Sequence, residues 1–336
     1  MSQKKRVLVL GSTSDGTTNC VRKALASRKA EYDFLSVQDF AQSSLVSLIH
    51  DENTCEIIGD FGRIVLSDYD AIYNRFWPGD SLISNGELDR LQVLDELNAF
   101  LDTTECIVVN RPGAAFSNWS KMLQLAELKR YGFLVPKCLG TSSASRAREF
   151  LSAQKSIVSK GMSGTRTIVE KFQSEHRLRL TGLSVCPVLF QECIIGEEFR
   201  VHIIDNQAIV ARIESGRVDY RYAQRTGHHL TIGRCFDFPK PILSRCVDFC
   251  RTERLMVGGF DFIKCGQSGK FFLLEVNPSP GFEFYDDYLE GEIANAVALL
   301  LMNGRQKDFF EDFQDVIAGN TFEPFIAQYR RPKLKY

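Results

Sequence analysis

Gly258-Gly259-Phe260-Asp261-Phe262-Ile263, a polar turn at Gly266-Gln267-Ser268-Gly269, then Lys270-Phe271-Phe272-Leu273-Leu274-Glu275-Val276-Asn277-Pro278 decide how this chain is read. Two apolar runs around a glycine-containing turn predict an antiparallel hairpin. With the turn centred on Ser268, Asp261 and Glu275 stand directly opposite each other, where Cβ atoms are about 4.5–5.5 Å apart. Asn277 shares the face of Glu275, while Phe272, Leu274 and Val276 are expected to face a core. Two carboxylates and an amide on an otherwise apolar hairpin repel one another unless a cation lies between them. Hard oxygen ligands of this kind suit Mg²⁺, especially when phosphates complete its shell. A solvent-facing polar strip on an edge hairpin fits the same pattern, so the hairpin alone leaves both readings open.

Upstream, Gly196-Glu197-Glu198-Phe199-Arg200-Val201-His202 alternates, which puts Glu198, Arg200 and His202 on one face and Phe199, Val201 and Ile203 in a core. His202 reads there as a packed or solvated strand residue, not as a catalyst. Arg212 and Glu214 share a face of the strand expected over 208–214. Residues 188–194 are apolar up to a polar break at Gln191-Glu192, as a buried core strand would be. Ser156 to Lys160 is a short strand ending in lysine, followed by Gly161-Met162-Ser163-Gly164-Thr165. An ammonium at a strand end beside small residues can approach a phosphate that backbone N–H groups wrap; a surface turn is the plain alternative. Asp219-Tyr220-Arg221 is either a surface ion pair or a planar guanidinium whose donors match phosphate oxygens in pairs. Ser117-Asn118-Trp119-Ser120 offers capping residues for a helix over 121–131, stopped at Gly132.

The start of the chain alternates β and α signals: a strand over 5–11, a helix over 17–28 and a strand near 32–37. This pattern suggests a parallel sheet. The loop Gly11-Ser12-Thr13-Ser14-Asp15-Gly16 does not match GxGxxG and is no dinucleotide site. In an open α/β sheet the loop after the first strand still lies on the ligand edge, so Ser12, Ser14 and Asp15 are substrate-contact candidates. Further β units are expected over 64–73, ending in Asn74-Arg75, and over 106–110, ending in Arg111; Arg75 and Arg111 join those candidates. An amphipathic helix is expected over 87–101. After Gly132, short strands are expected at close intervals until Phe238, then a helix over 241–255, the hairpin and a helix over 293–302.

A chain of 336 residues holds two or three domains or one multi-lobed enzyme. Its net charge of −1 supplies no global field for nucleic acid or an acidic membrane. The locally basic Tyr329-Arg330-Arg331-Pro332-Lys333-Leu334-Lys335-Tyr336 reads as a solvated tail. No apolar stretch follows Met1 in the manner of a signal peptide, and none reaches the roughly 18 residues of a membrane span. The ten cysteines are scattered without zinc-site spacing and read as reduced thiols. The expected location is the cytoplasm.

With Asp261 upstream, the run Glu275-Val276-Asn277-Pro278-Ser279-Pro280-Gly281 resembles the metal-binding signature of the ATP-grasp superfamily, and among its members the RimK-like carboxylate–amine ligases. The resemblance spans about 121–304, and the N-terminal part less specifically. It implies an α/β fold with α+β lobes: a Rossmann-like pre-ATP-grasp domain over 1–115, a central small lobe over 116–190, a C-terminal lobe with the metal site over 191–304 and a helical tail over 305–336. It implies ATP and one or two Mg²⁺ ions, with Mn²⁺ as a substitute, held by Asp261, Glu275 and Asn277. Lys121, Lys160 and Gly164 would meet the phosphates, Gln191, Glu192 and Ile194 the adenine, and Glu198 the ribose. Arg200 and Arg221 would act on the transferring phosphoryl or acyl group. The activity so implied is amide formation through an acyl phosphate, with carboxylate and amine substrates that include peptides, and by analogy a homodimer. The segment after Lys160 is shorter and less glycine-rich than the RimK loop, and resembles ATP-grasp ligases that modify ribosomal peptides, some of them macrocyclases. The Pro278-Ser279-Pro280-Gly281 ending is RimK-like, so a peptide macrocyclase stands as one alternative and a small-molecule kinase as another.

Overall fold

The computed structural model describes residues 5–50, 55–76, 88–114, 120–162, 170–215 and 230–303. Gly164, Asp219-Tyr220-Arg221, the potential caps at 117–119 and the tail over 305–336 lie outside the described residues.

β1 (Arg6–Gly11) leads into the Gly16–Ser27 helix, whose first turn Asp15 caps by accepting from the Thr18 N–H, and then into β2 (Glu31–Ser36). β3 (Val46–His50), β4 (Cys55–Gly59) and β5 (Gly62–Val65) make a small antiparallel sheet in that order. β6 (Ala71–Asn74) and β7 (Ile107–Val109), separated by the Leu88–Thr103 helix, return to β1, giving a parallel sheet ordered β2-β1-β6-β7. The single β unit expected over 64–73 is therefore two strands in two sheets. A 3-10 turn at Leu66–Asp68 divides them. The apolar run persists through the turn because Leu66 and Tyr69 fill the same core as Ile57 and Ile72; continuous apolarity reported burial there, not continuous strand.

β8 (Cys138–Thr141), β9 (Ile157–Gly161), β10 (Glu170–Lys171) and β11 (Val188–Glu192) form a second layer ordered β10-β9-β11-β8. Between its strands lie an Ala144–Ala153 helix and a 3-10 segment, Ser174–Ser184, where only closely spaced strands were expected. The helix buries Ala147 and Leu151 against Ile157 and Phe190, with Ala144 and Phe150 packed beside them, a helical spacing that the expectation of strands did not take up.

β12 (Gly196–Ile204), β13 (Gln207–Ser215), β14 (Leu230–Arg234), β15 (Val257–Cys265) and β16 (Phe271–Asn277) make the largest sheet, ordered β14-β13-β12-β15-β16. One face buries Phe199, Val201 and Ile203 with Phe249, Cys246 and Cys250 of the Lys240–Thr252 helix. Each fully buried side chain of this size contributes about 1.5–3 kcal/mol. At the other face Ile204, Ile209 and Ala211 share a core with Val7, Val9 and Tyr73 of the parallel sheet and with Ile293 and Val297 of the Glu292–Asn303 helix. That helix ties the beginning of the chain to the largest sheet. The Lys121–Arg130 helix, capped by Ser120, packs on β16.

All ten cysteines are free. Among the described residues no helix is long and apolar enough to cross a membrane.

Candidate functional site

Cross-strand pairing builds the floor of the site. Arg200, Asp261 and Glu275 lie in one row across β12, β15 and β16, and His202, Gly259 and Asn277 in the next. Asn277 Nδ2 reaches Asp261 Oδ2 at 3.3 Å. Asp261 opposes Glu275 as expected, but symmetry about the turn is not the reason: the register beside the turn, in which Lys264 pairs with Phe271, would set Asp261 against Leu274, and the inward set differs as well. A bulge follows, so that Phe262 pairs with Leu273 and Leu274 is the extra residue. Leu273 and Val276 are buried, whereas Phe272 and Leu274, expected inside, are only partly covered. A single inserted residue reverses the two-residue alternation on one side of the bulge.

Arg200 is 3% exposed, and its Nη1 lies 2.7 Å from Asp261 Oδ1. Its Nε donates to His202 Nε2 at 3.3 Å, and its guanidinium sits 5.5 Å from the Tyr285 ring centre. Gly259 permits this: a Cβ there would come within 2.7 Å of Arg200 Cζ and of Pro280 Cβ. His202 is fully buried against Phe282 and Tyr285. Burial, and then the Arg200 charge, push its pKa well below the ordinary imidazole range. It is a neutral packing residue that accepts from Arg200. Arg212 and Glu214 share a face as expected, but it is the opposite face, since Arg212 pairs with Phe199. There they line a cavity of about 320 Å³ with Asp237.

The central sheet brings Lys160, Leu189 and Gly140 into one row and Val158, Gln191 and Cys138 into the next. Phe190, between Leu189 and Gln191, packs the other way under the Ala144–Ala153 helix. Cys138 Sγ is 3.9 Å from Met122 Sδ, so the Lys160 face looks toward the start of the Lys121–Arg130 helix. Lys121 Nζ donates to Gly161 O at 3.2 Å, beside Lys160. At the junction between the two sheets, Glu192 N–H donates to Lys137 O and Cys193 N–H to Ser156 O. Glu192 also accepts from the Lys137 N–H, while among the described residues the buried Gln191 Nε2 has no hydrogen-bond partner. Ile194 follows in the short connection to β12, and Glu198 lies on the Arg200 side of that strand.

Two buried amides that the sequence reading passed over hold the metal-type strand. Gln124 donates to Val276 O (2.8 Å) and accepts from the Val276 N–H (3.0 Å). Asn110 donates to Val257 O and Pro278 O and accepts from the Met256 and Val257 N–H groups. Neither carries a local signal, because both partners lie more than a hundred positions away.

The N-terminal candidates divide. Asp15 is held by Arg75 at 2.9 and 3.0 Å and by Thr18, and Arg75 Nη1 donates to the carbonyls of Ser279 and Pro280. Burial opposes ionisation of Asp15, but the Arg75 and Thr18 contacts outweigh it and hold its carboxyl below the ordinary range. Ser12 and Ser14 bond each other at 2.8 Å, and Gln38 donates to Ser12. Loop, Arg75 and the segment after β16 thus meet at one place. Arg111 does not join them: its donors go to Leu101 O, Thr104 O and Cys106 O, around the end of the Leu88–Thr103 helix. A cation suits helix carbonyls left without intrahelical partners.

The donor set fits a divalent cation: two opposed carboxylates and an adjoining carboxamide oxygen. Among the described residues no cluster of three or more His, Cys, Asp or Glu side chains suited to a metal occurs, so a chain-only cage is not what this set resembles.

Neither a family model nor a curated protein matches the sequence. Among solved structures, the chain is similar to a Chryseobacterium gregarium RiPP-associated ATP-grasp ligase in complex with ADP and a leader and core peptide. That match has 17% identity over 90% of this chain and 98% of the other, with a TM-score of 0.75. It is similar to the macrocyclase MdnC bound with precursor peptide MdnA from Microcystis aeruginosa MRC (22% identity, 89% and 100% covered, TM-score 0.74). It is also similar to the ATP-grasp ligase PsnB with a phosphomimetic variant of its minimal precursor, Mg and ADP (24% identity, 88% and 97% covered, TM-score 0.74).

Proposed function

From the ATP-grasp fold of this chain as premise, we propose that it is an ATP-dependent ligase that activates a carboxylate as an acyl phosphate and passes it to a nucleophile, releasing ADP and phosphate. The observation that carries the reading is the Arg200–Asp261–Glu275 row with Asn277 beside it, joined through one helix to the Lys160 face. Asp261, Glu275 and Asn277 would hold Mg²⁺, which neutralises charge on the transferring phosphoryl group.

The chain's own residues supply position and charge. Lys160, with Lys121 bonded to the neighbouring Gly161 carbonyl, would meet the phosphates, and Arg200, fixed by Asp261 and His202, would add a planar cation. Gln191, whose Nε2 has no hydrogen-bond partner among the described residues, and the main chain from Glu192 to Ile194 suit an adenine edge, and Glu198 suits the ribose hydroxyls. Gly164 and Arg221 keep the roles that the family resemblance implies. Fixed cations and dipoles of this kind supply most of the rate in phosphoryl transfer.

The substrate we propose is a peptide with an acidic side chain, the nucleophile being an amine or hydroxyl of the same peptide. Supporting this, the similar structures contain leader, core or precursor peptides and are matched over nearly their whole length. The domain limits of the sequence reading, a homodimer and a cytoplasmic location belong to the same proposal. The test is to incubate the protein with Mg²⁺-ATP, hydroxylamine and a short peptide encoded beside its gene. Hydroxamate with matching ADP release is expected; phosphate ester on the peptide instead would make it a kinase. Glu275→Gln should lose well over about tenfold in turnover; a smaller loss would remove the metal role.

A further inference from the structure

β16 is the last strand of its sheet, and it carries two of the three metal-type ligands, Glu275 and Asn277. An edge strand leaves a row of N–H and C=O groups without a strand partner and is free to shift or fray. Here the residue between the two ligands, Val276, has both its N–H and its C=O bound by one side chain, Gln124, which is 4% exposed. The carboxamide stands in for the missing strand at Val276, and nearer the turn the Leu134 carbonyl does so for the Leu273 N–H. One turn earlier on the same helix, Lys121 bonds Gly161 at the end of β9. A single rigid helix therefore touches both the strand that carries the ligands and the strand that carries Lys160.

We propose that Gln124 is a positioning residue for the metal set: it fixes Glu275 and Asn277 at a set distance from the phosphate-facing lysines. The proposal rests on the ATP and Mg²⁺ reading above. Gln124 touches neither metal nor nucleotide; it holds the segment whose two side chains do. Asn110 reinforces the far side by bonding Pro278 O, so that carboxamides bracket Asn277 at both neighbours. Supports of this kind around metal ligands typically carry about 10–100-fold of metal affinity.

The experiment is a titration of the full chain with Mn²⁺ at saturating ADP, read by electron paramagnetic resonance of the free ion, for wild type, Gln124→Leu and Gln124→Glu. Gln124→Leu should weaken Mn²⁺ binding by about 10–100-fold, while ADP binding measured without metal stays near the wild-type value. Gln124→Glu keeps an acceptor for the Val276 N–H and loses the donor, and should fall between the two. Mn²⁺ affinity within about threefold of wild type in a folded Gln124→Leu overturns the proposal. If that variant does not fold, Gln124→Glu is judged by the same limit. Failure of both to fold makes Gln124 a stability residue and also overturns it. Wild type that binds no Mn²⁺ with ADP would instead remove the nucleotide and metal reading.

Discussion

Arg200 and Asp261 face each other across β12 and β15, with Nη1 2.7 Å from Oδ1. The same guanidinium donates from Nε to His202, so its plane is fixed at two points. A lysine offers one point charge on a flexible stem and cannot meet both partners. Arg200→Lys should therefore lose about 10²-fold or more in ATP-dependent turnover, in the range of losing one preorganised donor. An unchanged circular dichroism spectrum beside that loss would separate site geometry from unfolding. Full activity in Arg200→Lys would remove Arg200 from the reacting centre.

Gly259 sits between His202 and Asn277 in its row, beneath the Arg200 guanidinium. Its Cα hydrogen leaves room that a methyl would close, with Arg200 Cζ and Pro280 Cβ both at 2.7 Å. Pro280 belongs to a segment held by Arg75, so it cannot simply swing away. Gly259→Ala should cost about 1–3 kcal/mol of stability, the usual range for overpacking. Activity should fall further than the lost folded fraction explains. Urea midpoints and turnover on the same preparation check this, and parity in both with wild type would contradict it.

Arg75 and Asp15 form a partly buried pair that fastens the loop after β1 to the segment after β16. A double-mutant cycle with Asp15→Asn and Arg75→Met should give a coupling of about 1–3 kcal/mol at neutral pH. The folded Asp15 carboxyl lies below its ordinary value. Its contribution is thus present above the unfolded value near 3.9 and is lost as pH falls through the folded one. The coupling should shrink in acid, and a coupling that grows there would show that the bonds seen do not stabilise the fold.

The hairpin was readable because its information is local, two apolar runs with a glycine-containing turn between them, whereas the opposition of Asp261 to Glu275 depends on the one-residue register shift at the bulge. Ser120 ahead of the Lys121–Arg130 helix and Gly132 behind it, in the left-handed region at φ +77°, were readable for the same reason. The bulge at Leu274 was not, because strict alternation leaves no place for an extra residue. Gln124 looks like any polar helix residue; only the fold reveals that the edge of β16 lies beneath it. Arg111 fails in the opposite sense, a charged loop residue that suggests a ligand and instead closes a helix end. Charge is written in the sequence, but which partner satisfies it is decided by contacts between distant segments.

His202 gives the molecule a pH response with a definite sign. The imidazole is fully buried, accepts from Arg200 through Nε2, and among the described residues finds no partner for Nδ1. Protonating it in place would set a second buried positive charge beside the guanidinium, so its folded pKa lies well below the ordinary value. In the unfolded chain the same group titrates near 6.5. Below that pH the unfolded state binds one more proton than the folded state, and stability must fall as pH falls, by up to about 1.4 kcal/mol per pH unit from this residue. Above it the term is flat. Asp15 acts only at lower pH, but burial raises the carboxyls of Asp102, Glu127, Glu253 and Asp286 toward the same window, so the comparison with a His202 variant, not the wild-type slope alone, assigns the histidine's share. Denaturant midpoints for wild type should drop between pH 7 and pH 5, and His202→Gln, which retains an acceptor for Arg200 without a titrating group, should lose most of that slope. Identical slopes in the two proteins would mean that His202 is protonated in the folded state, which the contact with Arg200 forbids.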